Sequence, residues 1–357
     1  MKTVDFRLPI APATQADLAQ PEAAALHAQT ELVAAAAAAL HLPPDAVASV
    51  VVRKRSLDVR RHRQAAWALR CDVRLAGESA PPERVPALLQ PLHIARNAPD
   101  LHPIIVGMGP AGLFAALAFA DAGVRCTLLD RGQAVEARNL HVRDLRVHGQ
   151  LHAESNLCYG EGGAGTYSDG KLYTRSKNPL VRPVYERLVA LGAGPEILVD
   201  AHPHVGTNRL IPMMKVLRHA LQDAGHELRF GARMDDLLIQ HGDLPRVVGV
   251  RLADGTELRG GPVILATGHS ARDTYKMLAG HGIAMVRKDF AIGARVEHPQ
   301  ALIDRAQLGE LAGHPAIGAA EYFLAQTVPG ERGGRGVYSF CSARVASCCR
   351  RPRRSTT

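Results

Sequence analysis

Glycines at 107, 109 and 112, with Pro110 and Ala111 filling the spacer, stand directly after the β-branched run Ile104, Ile105 and Val106. Glycine at these places allows a tight strand-to-helix turn, a backbone that can approach a ligand with no Cβ in the way, and close packing of helix on strand. The N–H groups of the first helical turn have no partner within the helix and lie at the positive end of its dipole. They suit the two phosphates of a dinucleotide. Asp130, 18 residues beyond Gly112, is placed to accept hydrogen bonds from an adenosine ribose, with Arg131 beside it. A glycine-rich turn of another α/β fold is the alternative. The complete order of strand, glycine turn, helix, strand and acid favours the dinucleotide.

Such residues need a buried parallel strand, a helix and a second strand to hold them. Ile104 to Val106 suits a strand covered on both faces, and Leu113 to Ala122 is rich in helix formers, with Gly123 as a stop and Val124 to Leu129 as the second strand. A second glycine-rich segment, YGEGGAGTYSDGKL from Tyr159 to Leu172, has five glycines between 160 and 171. It cannot form a regular helix or strand, and it lacks the spacing of a phosphate-binding P-loop. Its backbone can wrap a ligand at close range, whereas an ordinary surface loop is the alternative. Asn208 to Ala224 has the apolar spacing of an amphipathic helix, and Glu227 to Phe230 and Met234 to Ile239 read as strands. A hairpin is expected from Val247 to Leu252 through Asp254–Gly255 to Thr256–Leu258. Val263 to Ala266 is an apolar strand ending in Thr267 and Gly268, where the chain passes close to something bulky. Ser270 to Leu278 follows as a helix with Ser270 as its N-cap.

The length of 357 residues accommodates two or three domains. Residues 1–97 read as a small α+β unit in the order β-α-β-β: Thr3 to Ile10, Pro21 to Leu40, Val47 to Asp58 and Ala66 to Leu75. A Pro-containing linker, Ala80 to Pro103, leads into the dinucleotide unit at 98–284. Residues 285–341 read as the start of a mainly β domain, with strands at Val286 to Val296 and Gly336 to Phe340 and loops around Pro299 and Pro329. Arg295, Glu297 and His298 form its most chemically interesting cluster, with a surface ion pair favoured over a substrate contact.

Composition narrows the function. Of the net charge of +9, five Arg lie in residues 342–357 with no acid, so the body carries only +4. The run from Arg53 to Arg63 holds six Lys/Arg against one Asp, yet it has no interleaved aromatics. A solvated strand end, or a surface docking on the next domain, is favoured over an RNA-contacting edge, and nucleic acid is not an expected partner. The six cysteines form no Cys-x-x-Cys pair, which argues against a zinc ribbon or redox dithiol and for a reducing compartment. Cys158, beside the second glycine segment, reads as a half-buried thiol. No metal site is expected. The N-terminus has no continuous apolar core of a signal peptide and Leu32 to Leu40 is too short to span a bilayer, so a cytoplasmic protein without membrane contact is expected.

Together, GMGPAGLFAA with LLDRG, GEGGAGTYSDGKL, and the hairpin leading into VILATGHSARDTYKML resemble a group of FAD-dependent dehydrogenases of the glutathione-reductase-like flavoprotein superfamily. KRSLDVR, KDFAIGARVEHPQ and GRGVYSF extend the resemblance from about residue 45 to Cys341. It implies an α/β fold: a Rossmann-like FAD-binding domain, an N-terminal α+β domain and an incomplete, mainly β substrate domain. It implies that Gly107, Gly109, Pro110, Ala111 and Gly112 hold the FAD pyrophosphate, and that Asp130, with Arg131 in the same site, holds the adenosine ribose. Gly162, Gly163, Ala164, Gly165, Thr166 and Ser168 would lie along pyrophosphate and flavin. The backbone near Met234 would face the adenine, and Thr267 and Gly268 would pass the nucleotide. The flavin carries the redox chemistry in such enzymes, so no residue receives a catalytic role. No second Gly-x-Gly-x-x-Gly follows a strand, so a separate NAD(P)H domain is not indicated. The small-molecule substrate and the electron donor, NAD(P)H or another, stay open. A flavin-binding chain without turnover and an RNA-associated flavoprotein are the alternative functions.

After Cys341 the sequence changes to SARVASCCRRPRRSTT, which is unlike the rest. Back-translated with GC-rich codons and read with one nucleotide restored, it gives Cys-Met-Cys-Pro-Gly-Gly-Glu-Leu-Leu-Pro-Ala-Ser-Thr-Ala-Phe-Asn-His. Related flavoproteins continue through their substrate domain at this point. The expectation is a frameshift after Cys341 and a substrate domain cut short.

Overall fold

The computed structural model describes residues 1–10, 21–60, 64–79 and 101–339, apart from Asp169, Tyr173, Arg175, Arg295, Pro315, Ala316, Gly318, Glu331 and Arg332. The linker expected before residue 101, the last three residues of the basic run and the tail at 341–357 fall outside them.

The N-terminal unit is built from β1 (Lys2–Pro9), α1 (Pro21–Ala39), β2 (Val47–Asp58) and β3 (Ala66–Leu75). The strands form an antiparallel sheet in the order β1-β3-β2. Val50, Leu69, Cys71 and Val73 turn one face of the sheet towards Ala36 and Ala37 of α1. The small side chains at 36 and 37 let the helix settle close against the strands. Charges are paired across strands: Asp72 accepts from Arg53 at 2.6 Å and from the Thr3 hydroxyl at 2.7 Å, and Arg70 donates to Asp5 at 2.8 Å. Arg55 joins this unit to the next. Its N–H donates to the Val199 carbonyl at 2.7 Å, its carbonyl accepts from Ala201 at 2.9 Å, and its guanidinium meets Asp200 at 2.7 Å. Arg60 chelates Asp58 with bonds of 2.8 and 2.7 Å. Of the four described cations of the run, Arg53, Arg55 and Arg60 each face a carboxylate, and Arg55 acts as a docking residue.

The central unit runs β4 (Ile104–Val106), α2 (Pro110–Asp121), β5 (Thr127–Leu129), α3 (Val135–His148), α4 (Val181–Ala190), α5 (Thr207–Asp223), β6 (Glu227–Arg229), β7 (Met234–Gln240), β8 (Arg246–Leu252), β9 (Glu257–Arg259), β10 (Val263–Leu265) and α6 (Arg272–Gly280). Strands β10, β4, β5 and β6 make a parallel sheet in that order, and β7, β8 and β9 an antiparallel meander. Alternation along the buried strands sends side chains to opposite layers. Ile105 and Leu128 enter a core with Leu113, Ala116 and Leu117 of α2 and Met213 and Leu217 of α5. Ile104, Val106 and Leu129 enter a second core with Met234, Leu237, Val250 and Leu252 of the meander. The parallel sheet is thus covered by helices on one face and by the meander on the other, which explains why β4 and β10 are unbroken apolar runs, while the edge strand β6 reads Glu-Leu-Arg. Helix α6 starts at Arg272 with Ala271 in the N-cap position, rather than at Ser270, whose carbonyl instead accepts from the Tyr159 hydroxyl at 2.7 Å.

Beyond α6 the structure departs from expectation. Residues 286–294 form no strand, although their β-branched composition suggests one, because no described strand pairs with them. Val286, Phe290 and Ile292 stand 84%, 85% and 90% exposed. Pro299 does not mark a loop. It occupies the N-cap of α7 (Gln300–Leu308), where its fixed φ presets the helix start. The strand expected at 336–340 is β12 (Arg335–Tyr338), paired antiparallel with β11 (Ala325–Val328). Among the described residues no helix is long and apolar enough to cross a membrane.

Burial on both faces makes the parallel sheet the costliest place to remove volume. Leu128→Ala, at a wholly buried site, is expected to destabilise by about 2–5 kcal/mol, whereas Leu265→Ala, at a site 37% exposed, costs less than about 1 kcal/mol. Urea denaturation of both variants checks the difference.

Candidate functional site

Parallel pairing in register places the ends of three strands side by side. Val106 pairs with Leu129 and with Leu265, so Gly107, Asp130 and the segment from Ala266 to Gly268 emerge at one edge of the sheet. β4 feeds β5 on one side through α2, while its other neighbour, β10, arrives from far along the chain. A crevice at such a change of direction is where open α/β sheets bind ligands. Gly107 turns there with φ of +108°, and a Cβ on it would run into the Ala266 carbonyl. A Cβ on Gly112 would strike the Gly107 carbonyl, so helix and turn pack with no room for a side chain. Helix α2 begins at Pro110 with Gly109 as N-cap and no side-chain cap, which leaves its first-turn donors facing the crevice.

The second glycine segment closes on the first. The Gly162 N–H donates to the Met108 carbonyl at 2.8 Å, and a Cβ on Gly163 would lie 2.9 Å from the Gly109 Cα. Within the segment Gly162, Gly163 and Thr166 are buried, whereas Ala164 and Gly165 are exposed. Thr166 donates inward to the Glu161 carbonyl at 3.1 Å, and Ser168 folds back on the Gly165 carbonyl at 2.7 Å, so these two hydroxyls shape the turn.

A buried charge holds this loop. Arg138 of α3 is 0% exposed and donates to four backbone carbonyls: Asn156 at 2.9 Å, Leu157 at 3.3 Å, Glu161 at 2.6 Å and Gly163 at 2.9 Å. Its guanidinium also lies 4.9 Å from the centre of the Tyr167 ring. The Glu161 carboxylate accepts from Val135 N–H at 2.8 Å, at the start of α3, and lies 3.5 Å from Arg218 of α5. Burial pushes the Glu161 carboxyl up, against the pull of that N–H and of Arg218. Sequence reasoning did not single out Arg138, Glu161 or Arg218. One signal was available: Val135, Arg138 and Val142 are the buried residues of α3, so the arginine sits where helical periodicity calls for an apolar side chain.

At the other end of the crevice, Asp130 is buried and accepts Met108 N–H and Gly132 N–H, both at 2.8 Å, one on each oxygen. Each oxygen keeps a second lone pair. Arg131 stacks 4.7 Å from the centre of the Tyr159 ring and pairs with Asp273 at 2.5 Å, which links β5 to α6. The backbone before Met234 runs beside Asp130, since Ala232 N–H donates to the Asp130 carbonyl at 2.8 Å, whereas the Met234 side chain belongs to the core under the meander. Thr267 and Gly268 follow β10 directly, and a Cβ on Gly268 would meet nothing within 4 Å. The structure therefore gathers Gly107, Gly109, Gly112, Gly163, Asp130 and the Thr267–Gly268 turn at one sheet edge.

Other candidates lie apart from this arrangement. Arg295 falls outside the described residues, and His298 bonds the Tyr322 hydroxyl at 3.0 Å. Cys158 is exposed, not half-buried. Burial pushes the Cys126 thiol up to about 12 and the Cys71 thiol up to about 11, so both are inert near neutrality. Among the described residues no group of three or more His, Cys, Asp and Glu is arranged to hold a metal ion.

Residues 102–143 match the FAD binding domain family, and residues 289–343 match the family of FAD-dependent protein, C-terminal domain-like. An uncharacterized protein of Clostridium beijerinckii is 41% identical over 239 residues, covering 67% of this chain and 44% of that one. Protein FixC of Escherichia coli is 29% identical over 239 residues, covering 66% of this chain and 51% of FixC. The chain thus spans about half the length of the curated relatives it matches. Among solved structures, THI4 of Thermovibrio ammonificans aligns with a TM-score of 0.36 and 16% identity, covering 52% of this chain and 64% of THI4. The residues fit FAD: a Cβ would fill the turn at Gly107 and the approach at Gly163, and the uncapped start of α2 offers donors to a diphosphate.

Gly107→Ala is expected to cost at least about 3 kcal/mol, from a clash with the Ala266 carbonyl and a positive φ together. Gly123→Ala, with φ of +70° and no atom within 4 Å, costs about 1 kcal/mol. Thermal unfolding of the two variants tests this. In native protein, iodoacetamide should label Cys158 and spare Cys71 and Cys126, as read by peptide mapping.

Proposed function

We propose that this chain, which matches the FAD binding domain family at residues 102–143 and the family of FAD-dependent protein, C-terminal domain-like, at residues 289–343, passes electron pairs between small molecules through FAD bound at the crevice above β4. The observation that carries this reading is the meeting of two glycine segments, 107–112 and 160–165, at the carboxyl edge of the parallel sheet. Gly107, Gly109, Pro110, Ala111 and Gly112 hold the pyrophosphate against the start of α2. Asp130 accepts from the adenosine ribose through its remaining lone pairs, and Arg131 braces that end through Asp273. The backbone around Ala232–Met234 borders the adenine. Gly162, Gly163, Ala164, Gly165, Thr166 and Ser168 form the wall beside pyrophosphate and flavin, with the exposed Ala164 and Gly165 nearest the ligand. Thr267 and Gly268 flank the nucleotide from the β10 side. FAD, when bound, supplies the acceptor for a hydride or electron pair, and the chain's residues bind and orient it.

Titration of the purified protein with FAD tests the reading. Bound flavin should be bleached by a reductant such as dithionite or a nicotinamide nucleotide and regain colour with an electron acceptor. Protein that binds FAD yet shows no transfer to any acceptor contradicts the oxidoreductase reading. Gly109→Ala separates binding from folding. Its φ is −77° and the nearest atom to an added Cβ is 3.8 Å away, so the variant should fold, while the methyl narrows the groove. FAD affinity should fall at least about tenfold, equivalent to about 1.4 kcal/mol, and an unchanged affinity removes Gly109 from the site.

A further inference from the structure

We propose that Arg138 is a positioning residue for the cofactor: it locks the loop from 156 to 163 in its ligand-ready form and places a fixed positive charge directly behind the contact between the two glycine segments, where the pyrophosphate binds. The proposal rests on the reading of the crevice as an FAD site and goes beyond it, since Arg138 is carried by α3 and lies behind the loop.

The geometry is unusual for a buried arginine. Among the described residues its four donated bonds all go to backbone carbonyls, and no carboxylate accepts from it within hydrogen-bond distance. Neutral carbonyls accept from four of its five N–H groups, so the Asp130 and Glu161 carboxylates act on its charge only through space. The carbonyls come from both ends of one loop, Asn156 and Leu157 on one side and Glu161 and Gly163 on the other, so one planar group fixes the loop's closure. Other bonds also hold the loop, among them Glu161 N–H to the Gln133 carbonyl at 3.1 Å, Gly162 N–H to the Met108 carbonyl at 2.8 Å and the Tyr159 hydroxyl to the Ser270 carbonyl at 2.7 Å, but Arg138 bonds both its ends. Neighbouring glycines make room for the arginine: a Cβ on Gly160 would lie 2.6 Å from Arg138 Cδ. Glu161 fastens the same loop to the start of α3 and to Arg218 of α5.

Gly163, whose carbonyl accepts from Arg138, is also the residue that meets Gly109. The guanidinium therefore sits one peptide behind the contact between the two glycine segments. A cation held there in a dry environment attracts the anionic pyrophosphate and favours the more negative of the two redox states of a bound flavin. Lysine at 138 would keep the charge and lose the planar fork that reaches four carbonyls. Glutamine would lose both.

Arg138→Lys and Arg138→Gln, compared with wild type in full-length protein, separate these contributions. The readouts are FAD affinity by titration and the two-electron reduction potential of bound flavin. Both variants should bind FAD at least tenfold more weakly. Arg138→Lys should keep the wild-type potential. Arg138→Gln should favour the oxidised state by about tenfold more than wild type, a fall of about 30 mV for a two-electron couple. A purely structural arginine would lower thermal stability in both variants and leave the potential of each unchanged, and that result overturns the proposal, as does unchanged affinity. If neither variant folds, hydrogen exchange of the unliganded wild type decides. Slow exchange of loop amides at 161–163, comparable with those of α3, is expected, and fast exchange overturns the latch. If wild type binds no FAD, the cofactor reading fails and takes this proposal with it; wild-type binding beside unaltered variants overturns Arg138 alone.

Discussion

Two backbones approach at the carboxyl edge of the parallel sheet to a distance that leaves no room for a side chain at Gly163, and the remaining architecture serves that approach. Gly109 and Gly163 come so near that a Cβ on the latter would sit 2.9 Å from the Cα of the former. For this to happen β4 must be level with β5 and β10, α2 must start immediately after the turn, and the second segment must return from beyond α3. The helix layer and the meander make the first two conditions possible by burying both faces of strands only three residues long. Short strands carry few ladder bonds of their own, so their position depends on packing from both sides.

The third condition is met by polar chemistry in a dry place. A glycine-rich loop has high backbone entropy, and fixing it requires many bonds to few groups. Arg138 provides four of them, and Glu161 and Arg218 anchor the same loop to α3 and α5. A buried guanidinium whose three nitrogens are all bonded is a rigid connector, whereas loss of one of these carbonyls would leave a further costly unpaired donor. The loop is therefore held in one conformation, and the electrostatics of the crevice follow from what holds it.

Much of this was legible in the sequence, for reasons that differ by element. Strands β2 and β3 read correctly to the residue, because alternating and β-branched patterns coincide with sharp turn signals at their ends. The Gly107–Gly112 turn was legible because the chemistry leaves few other choices, and the second glycine segment because its composition forbids regular structure. Arg138 was not legible as a latch, since an arginine among the charged residues of VEARNLHVRDLRVH looks like a solvated one, and only its phase on the helix hints at burial. The exposed residues 286–294 misled for the opposite reason: their side chains suit a strand, but a strand exists only where another offers a ladder. Helix α7 was hidden by Pro299, which reads as a breaker yet serves as a start.

A crystal structure of the protein grown with FAD tests the central claim most directly. The account predicts the pyrophosphate against the start of α2, with its oxygens in hydrogen-bond contact with backbone donors there and the segment 163–165 alongside. A pyrophosphate bound only by residues 107–112, with the second glycine segment out of contact with the cofactor, would contradict it.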